Sequence, residues 1–390
     1  MSRWQCRPAL QVFLWSRAAI WAATILAFLW FEPKPPPLQH RWDSPYLHDL
    51  GWLTDVWARW DSRWFVQIAE HAYSSSQTAA FFPLYPGVVA VLGRVLLGHY
   101  VLAGIVVSLA ACAGSFVLFH RLAERRLGLE GAQRALVYLA IFPTALFLQA
   151  VYSESLFLLL VLAAFTFAES DRWVWAGVAT GLALLTRSAG VALLPALAAV
   201  GWPHGRRIAW LGLAPALFLL YPLGLWWKLG DPFAFLDSQQ LWHRHLSSIG
   251  PLGGIGSGLR AGYHGVMALA GRGDAARWTV AGAEPMHAAA VNLQSLAFLG
   301  LFVWLAVVVW RRFGVPYGIF TVVSLAIPLS FPSGRWPLLS LPRFGVTIFP
   351  LFLALAVLGE RPRVHSAIIG VSAMLLGLAV VQWALYQWVA

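Results

Sequence analysis

Charged residues are scarce in this 390-residue chain: Asp, Glu, Lys and Arg together make up only 11% of it. Soluble domains average about a quarter charged residues, so this chain has less than half of the charge needed to cover a water-exposed surface. Hydrophobic residues reach 59%, and the mean hydropathy is +0.69. This composition excludes a soluble enzyme, a disordered chain and a disulfide-rich scaffold, and it predicts an all-α polytopic membrane protein.

Cysteine is also scarce, and its two copies have no CxxC spacing. Cys6 lies in the N-terminal tail and Cys112 inside an apolar run, so we expect neither a disulfide framework nor a thiolate metal site. The glycine-rich stretch 250–258 (GPLGGIGSG) lacks the lysine and the serine or threonine of a P-loop. It predicts a mobile loop and no nucleotide cofactor. The net charge of +11 contains no block of like charges, which argues against nucleic-acid binding.

Apolar runs long enough, or nearly long enough, to cross a bilayer recur along the whole chain. They lie at about 10–31, 100–119, 134–150, 154–169, 173–186, 189–201, 208–227, 291–310, 315–331, 344–358 and 364–387. We therefore expect about eleven transmembrane helices in one integral membrane domain over residues 1–390. The runs at 173–186 and 189–201 could instead form one kinked pair or a single long helix. The prolines at 35–37 should end the first span.

Arginines in the short loops predict the orientation of these spans, because cytoplasmic loops carry an excess of basic residues. The arginines are Arg121, Arg125, Arg126, Arg206, Arg207, Arg311, Arg312, Arg361 and Arg363. Placing them all in the cytoplasm, with the N-terminus, puts two long loops on the outer face, at about 32–99 and 228–290. The turn at 150–154, the region of Arg187 and the segment 332–343 then lie on the same face. We expect a multi-pass protein of the inner (plasma) membrane.

The first outer loop contains the most unusual charged residue. At helical spacing, Val56–Ala72 predicts a membrane-interface helix with Trp57, Asp61 and Trp64 on one apolar face and Trp60 at its edge. A carboxylate on such a face is costly and is usually functional. Asp61 could instead cap a short helix beginning at Ser62, or pair with a nearby arginine.

Several motifs, taken together, resemble the signature of the PIG-V family of mannosyltransferases and its bacterial members. They are Trp60-Asp61, Ile68–Tyr73 (IAEHAY), Phe81–Pro86 (FFPLYP), Tyr152–Phe157 (YSESLF), Thr186–Gly190 (TRSAG), Gly230–Pro232 (GDP) and Pro342–Phe344 (PRF). The matches run in order from about residue 57 to 350. One departure is Ala189, which stands where the family has asparagine, so a polar contact from this position is not expected.

The resemblance implies a GT-C glycosyltransferase with a polyprenyl-phosphate mannose donor, acting on the extracytoplasmic face with inversion at the anomeric carbon. It also implies that Asp61 is the catalytic base, since the class uses an acidic residue of the first outer loop. The partners implied are the lipid donor, the surrounding membrane lipids and an acceptor that could be a glycolipid, a glycan or a protein.

Other candidate site residues follow from the chemistry that a sugar phosphate requires. Arg187 and Arg343 border short outer-face runs and suit phosphate, although snorkelling or a helix C-terminus would explain them equally well. His243 belongs to the polar cluster 243–245 and is a third candidate phosphate ligand. Glu154 starts a helix, where capping competes with substrate binding. The candidate substrate-binding residues are Trp60, Tyr73, Phe82, Tyr85 and Glu154.

Two other classes of protein remain open at this point. A secondary transporter would carry ionisable residues at the bilayer midplane and inverted repeats. Here the apolar runs are nearly free of Asp and Glu, and no repeat is visible. A non-catalytic membrane scaffold would be indifferent to substitution of Asp61.

Overall fold

The computed structural model describes residues 7–31, 47–241, 243–272, 285–334 and 336–389. Within these ranges the chain is helical, and its one β-type contact is an isolated bridge between Arg244 and Ser333. The all-α prediction is therefore confirmed for the described part of the chain. Cys6 and the prolines at 35–37 lie outside the described residues.

The described ranges contain the following α-helices in chain order. They are α1 Arg7–Phe31, α2 Trp52–Asp55, α3 Ser62–His71, α4 Leu84–Val95, α5 Tyr100–Ala140, α6 Glu154–Glu169, α7 Trp173–Leu184, α8 Leu193–Gly201, α9 Leu213–Phe218, α10 Leu220–Leu229, α11 Ala234–Leu241, α12 Pro251–Leu269, α13 Pro285–Phe313, α14 Val315–Ser330, α15 Leu341–Gly345, α16 Pro350–Leu358 and α17 Pro362–Ala384. Segments of 3-10 helix occupy Thr78–Ala80, Ala145–Leu148, Ser188–Ala192 and Trp202–Gly212.

Five helical segments of the described chain are long and apolar enough to cross a membrane. They are Arg7–Phe31, Tyr100–Ala140, Gly205–Leu229, Met286–Phe313 and Pro362–Ala384. Shorter apolar helices lie between them, including Leu84–Val95 inside the expected outer loop 32–99. These features are those of a multi-pass membrane protein, whereas the count of eleven crossings stays a prediction.

The expected span at 134–150 is wrong in its second half. Helix α5 breaks at Gly128, which has a φ of +71°, and it ends at Ala140. Residues 141–153 then form turns that are buried. Irregular backbone at membrane depth is stable only where the protein itself supplies hydrogen-bond partners.

Arg17 supplies two of those hydrogen bonds from the middle of α1. Its Nη2 donates to the carbonyl oxygen of Ala140 and its Nη1 to that of Ala145, both at 2.8 Å. The residue is only 4% exposed. The Arg17 guanidinium thus satisfies one carbonyl at the end of α5 and one in the turns that follow it. These two hydrogen bonds fix the start of the segment that leads to Glu154.

The glycine-rich stretch 250–258 is not the mobile loop that the sequence predicts, because Pro251–Gly258 begins α12. Its glycines are packing positions. A Cβ added to Gly258 would lie 2.7 Å from the Leu338 side chain, and one added to Gly254 would overlap the backbone of Leu329. Small residues allow such close approach between helices in a membrane.

Helix α6 carries a buried or partly buried glutamate with an arginine partner at each of its two ends. Glu154 begins it and Glu169 ends it, which separates them by roughly 22 Å at 1.5 Å per residue. Glu169 accepts from Arg126 and from Tyr317, both at 2.6 Å. The arginine-bearing segment 121–126 of α5 therefore lies at the end of α6 remote from Glu154.

We expect Arg17→Leu to lower the free energy of unfolding by about 1–3 kcal/mol for each buried carbonyl that loses its donor. Thermal unfolding of the purified protein in detergent measures this loss. Arg94→Leu is the control, because Arg94 is exposed in the last turn of α4. Equal stability of the two variants would contradict the role of Arg17 at the end of α5.

Candidate active site

Asp61 lies in a turn rather than on a helix face. The predicted helix over 56–72 is wrong in its first part, because α3 begins at Ser62 and Trp60 has a φ of +51°. Asp61 occupies the position before α3, but its side chain makes no capping hydrogen bond. Its carboxylate is therefore available to another partner.

Buried groups from distant parts of the chain hold this turn. The Tyr152 hydroxyl donates to the carbonyl oxygen of Arg59 and accepts from the backbone N–H of Asp61, both at 3.1 Å. The indole N–H of Trp383 donates to the carbonyl oxygen of Val56 at 2.6 Å. Burial, and then the Asp61 carboxylate, raises the pKa of Tyr152 well above its ordinary value, so this hydroxyl stays neutral.

The partner of Asp61 is Arg343, which is 282 residues further along the chain. Nη1 of Arg343 donates to Oδ2 of Asp61 at 2.7 Å. Nε of the same guanidinium lies 3.3 Å from Oε1 of Glu154. Burial by itself lowers the pKa of Arg343, but the charges of Asp61 and Glu154 outweigh burial and raise it above the ordinary value. The side chains of Asp61, Arg343 and Glu154 are 19%, 9% and 1% exposed.

Glu154 also pairs with Arg187, whose Nη1 lies 2.5 Å from Oε1 of the carboxylate. The same nitrogen lies 3.5 Å from the Ser153 hydroxyl. Glu154 is thus a buried anion between two arginines. A buried carboxylate needs such compensation, and it fixes the positions of both guanidinium groups.

Arg244 is a third arginine at this cluster. Its Nη2 donates to the carbonyl oxygen of Leu339 at 3.1 Å, and its guanidinium lies over the Phe344 ring, as does that of Arg187. Burial, and then the neighbouring charge of Arg343, lowers the pKa of Arg244 to about 10. Three arginines against two carboxylates leave the five side chains with a net charge of +1, which favours binding of an anion.

His243 was the sequence-based candidate from this loop, but the structure brings its neighbour Arg244 to the cluster. His243 is exposed and has a φ of +54°, and its carbonyl oxygen accepts from the N–H of Gly334 at 3.0 Å. Periodicity could not separate adjacent residues of an irregular loop. One clue in the sequence favoured Arg244: a guanidinium matches the geometry of a phosphate better than the imidazole of His243 does.

Left-handed backbone occurs at a non-glycine residue beside three of the charged residues of the cluster. Trp60 precedes Asp61, His243 precedes Arg244, and Ser340 starts the turn that leads to Arg343, with φ values of +51°, +54° and +64°. Each such conformation costs of order 1–3 kcal/mol and persists only where the surroundings enforce it. The three segments are therefore held in place by packing at some cost in stability.

The aromatic candidates lie apart from the ion pairs, with one exception. Tyr73 and Phe82 pack around Tyr221 in a separate hydrophobic cluster, and the Tyr73 hydroxyl donates to the carbonyl oxygen of Phe81 at 2.7 Å. Tyr85 is fully buried and contacts the Ser108 hydroxyl. Trp60 is the exception, because it directly precedes Asp61.

Within the described ranges, no group of three or more His, Cys, Asp or Glu side chains is arranged to hold a metal ion. The chemistry that the described cluster can perform is proton transfer by a carboxylate and charge stabilisation by guanidinium groups.

Neutral replacements of two arginines should shift stability in opposite directions. The folded-state pKa of Arg244 lies below that of an unfolded arginine, so at neutral pH its charge costs stability and Arg244→Gln should raise the unfolding temperature. The pKa of Arg343 is raised, so Arg343→Gln should lose about 3–5 kcal/mol, because Asp61 loses its arginine and Glu154 keeps Arg187 alone. Thermal unfolding at neutral pH measures both variants, and shifts of the same sign would contradict this charge distribution.

Comparison with known proteins confirms the resemblance that the motifs indicate. Residues 48–200 match the family model described as Mannosyltransferase (PIG-V). A GPI mannosyltransferase 2 of Drosophila melanogaster is 33% identical over 184 residues, which are 42% of this chain and 41% of that protein. The chain thus aligns with less than half the length of this curated relative. The family match includes Asp61, Glu154 and Arg187, whereas Arg244 and Arg343 lie outside it.

Proposed function

We propose that this chain, with its PIG-V mannosyltransferase match over residues 48–200, transfers mannose from a polyprenyl-phosphate donor to an acceptor hydroxyl. The observation that carries the proposal is a partly accessible carboxylate, Asp61, within an arginine-rich cluster of net positive charge. Such a cluster provides both functions that transfer from a sugar phosphate requires: a base for the acceptor and cations for the leaving phosphate.

Asp61 is proposed to act as the general base. It is the more exposed of the two carboxylates in the cluster, so an incoming hydroxyl can approach it. The acceptor oxygen forms a bond to the anomeric carbon while its proton passes to Asp61. The bond from that carbon to the phosphate oxygen breaks, and its electron pair leaves with the phosphate. One displacement of this kind inverts the anomeric centre and needs no second carboxylate, because phosphate leaves without being protonated.

Arg187, Arg244 and Arg343 are proposed to bind the donor phosphate. Charge on the phosphate increases as the glycosidic bond breaks, and fixed guanidinium groups stabilise this charge without reorganising. Arg343 already contacts Asp61 at 2.7 Å. If Arg343 donated to a phosphate oxygen in place of Asp61, the Asp61 carboxylate would be free to accept the proton. Donor binding and activation of the base would then be coupled through one side chain.

Glu154 is proposed to be a positioning residue. It is 1% exposed and contacts Arg187 and Arg343, so it lies behind the guanidinium groups. Its charge offsets the repulsion between two arginines that would otherwise separate. It would therefore act through the phosphate-binding residues and not on the sugar.

The extracytoplasmic face is the proposed location of the reaction. The cluster lies at the N-terminal end of α6, and Arg126 pairs with Glu169 at its other end. Arginine-rich segments at the ends of membrane spans are typically cytoplasmic, which would place Asp61 on the outer side of an inner (plasma) membrane. A lipid-linked donor could reach that position from within the bilayer.

Replacement of Asp61 tests the proposal directly. Purified protein is given labelled polyprenyl-phosphate mannose with glycolipid, glycan and peptide acceptors, and transferred label is measured. We expect Asp61→Asn to reduce the transfer rate by about 10²–10⁴-fold, which is the usual contribution of a general base. The matched control is Asp171→Asn, since Asp171 also pairs with one arginine, Arg207, but lies beyond Glu169 at the other end of α6.

Undiminished transfer by Asp61→Asn would contradict the assignment of the base. Transfer from nucleotide-linked mannose alone would contradict the assignment of the donor. Movement of a solute into liposomes without any polyprenyl donor would favour a transporter instead.

Labelling of single cysteines tests the proposed face. In a chain with Cys6 and Cys112 replaced by alanine, Gln77→Cys should react with a membrane-impermeant maleimide in intact cells. Arg125→Cys should react only after permeabilisation. Both positions are exposed in the structure, so reactivity reports the side of the membrane. The reverse pattern would place the cluster in the cytoplasm.

A further inference from the structure

A cleft opens at the end of α6 that is remote from the proposed catalytic site, and the mechanism proposed above does not use it. Residues of three helices line it: Arg125 and Arg126 of α5, Ala168 and Glu169 of α6, and Val200 of α8. The cleft is open to the surface and has a volume of about 360 Å³. Small-molecule sites typically span roughly 300–1,000 Å³, so a ligand of the size of a lipid headgroup can enter.

Glu169 holds Arg126 at the wall of this cleft. Nη2 of Arg126 donates to Oε1 of Glu169 at 2.6 Å, and the Tyr317 hydroxyl donates to the same oxygen at 2.6 Å. The guanidinium also lies over the Tyr317 ring, 5.1 Å from its centroid. The Arg126 side chain is 39% exposed and that of Glu169 only 13%, so the cation is the more accessible partner. Because a guanidinium carries five N–H donors, Arg126 can donate to a ligand without leaving the carboxylate.

Arg125 brings a positive charge that no carboxylate of the described residues pairs with. It is exposed, and it forms no ion pair within the part of the chain that the structure describes. Glu124 is its neighbour in sequence, and adjacent residues of a helix do not face each other. Arg126 and Glu169 compensate each other, so Arg125 leaves the lining side chains with a net charge of +1. A cleft with this charge favours an anion.

Exposed tryptophans lie around the same end of the molecule. Trp175, Trp202 and Trp310 are 58%, 83% and 45% exposed. Trp175 contacts Phe167 in the last turn of α6, and Trp202 directly follows α8. The Trp310 ring packs against the first turn of α14, the helix of Tyr317. Tryptophan in membrane proteins is enriched at the level of the lipid headgroups. We therefore expect the cleft at headgroup depth, where lipid phosphates are the nearest anions.

We propose that this cleft binds the phosphate of an anionic lipid headgroup, in the leaflet opposite the Asp61 cluster. Arg125 donates to the phosphate oxygens together with the N–H groups of Arg126 that do not bind Glu169. Glu169 keeps Arg126 in place, and Val200 offers apolar surface to the glycerol part of the lipid. The inference does not depend on the proposed transferase activity, because none of these residues belongs to the Asp61 cluster.

Titrations of the full-length protein in a neutral detergent test this site without requiring catalysis. Native mass spectrometry measures the dissociation constants of phosphatidylglycerol, phosphatidylcholine and inorganic phosphate. We expect phosphatidylglycerol to bind the wild type more tightly than the other two. Arg125→Gln removes the uncompensated charge and leaves the pair between Arg126 and Glu169 intact. It should weaken the binding of phosphatidylglycerol about fivefold, the usual contribution of one arginine at an anionic surface.

The matched control is Arg311→Gln, which removes one exposed arginine from the last turn of α13 and leaves the walls of the cleft unchanged. This variant should bind phosphatidylglycerol as the wild type does. Equal weakening by Arg125→Gln and Arg311→Gln would show that the lipid is attracted by the total positive charge and not by a defined cleft, and it would overturn the proposal.

Val200→Phe separates the shape of the cleft from its charge. The larger side chain occupies part of the cleft and leaves both arginines in place, so phosphatidylglycerol should bind more weakly by a factor similar to that for Arg125→Gln. Unchanged binding by Val200→Phe would contradict a site inside the cleft. Inorganic phosphate that binds as tightly as phosphatidylglycerol would identify a site for a soluble anion, and equal affinity for phosphatidylcholine would exclude recognition of charge. Either result would overturn the lipid assignment.

Discussion

The ion pair between Asp61 and Arg343 is the contact on which the rest of the candidate site depends. It joins the turn before α3 to the short helix α15, at a distance of 2.7 Å. In surroundings of low polarity, neither charge is stable without the other. Glu154 then compensates Arg343 and Arg187 together, and Arg244 adds one positive charge in excess. A bound phosphate would offset this excess positive charge. We therefore interpret the cluster as a binding site and not as a set of purely structural ion pairs.

Breaks in the helices position these charges. Residues 56–61 and 141–153 are irregular, and they contact each other through Tyr152, which binds both sides of the Asp61 turn. Arg17 satisfies the backbone where α5 ends. Each break leaves backbone groups that regular helices would pair, and buried side chains satisfy them at the cost of desolvation and strain. These buried segments hold the carboxylate and guanidinium groups in a fixed geometry in the absence of a ligand. Such a fixed geometry is the condition for electrostatic stabilisation of a transition state.

The sequence predicts the parts of this structure that depend on composition and local pattern. Low charge and long apolar runs predict membrane helices, and Asp61 is conspicuous because a carboxylate does not belong among tryptophans. The partner of Asp61 is not predictable in the same way, because a pairing across 282 residues depends on tertiary packing. Arg244 was passed over for its neighbour His243, since loop geometry decides which of them turns inward. The helical role of Pro251–Gly258 was missed because glycine suggests flexibility in isolation, whereas here it allows helices to approach closely.

We infer that Asp61 and Arg343 act as one unit. A double-mutant cycle measures it most directly: Asp61→Asn, Arg343→Gln and the combined variant are compared with the wild type by unfolding in detergent. We expect the double variant to be more stable than the sum of the two single losses implies, with a coupling free energy of about 1.5–3 kcal/mol. Additivity within about 0.5 kcal/mol would show that the two side chains do not interact, and would contradict the account.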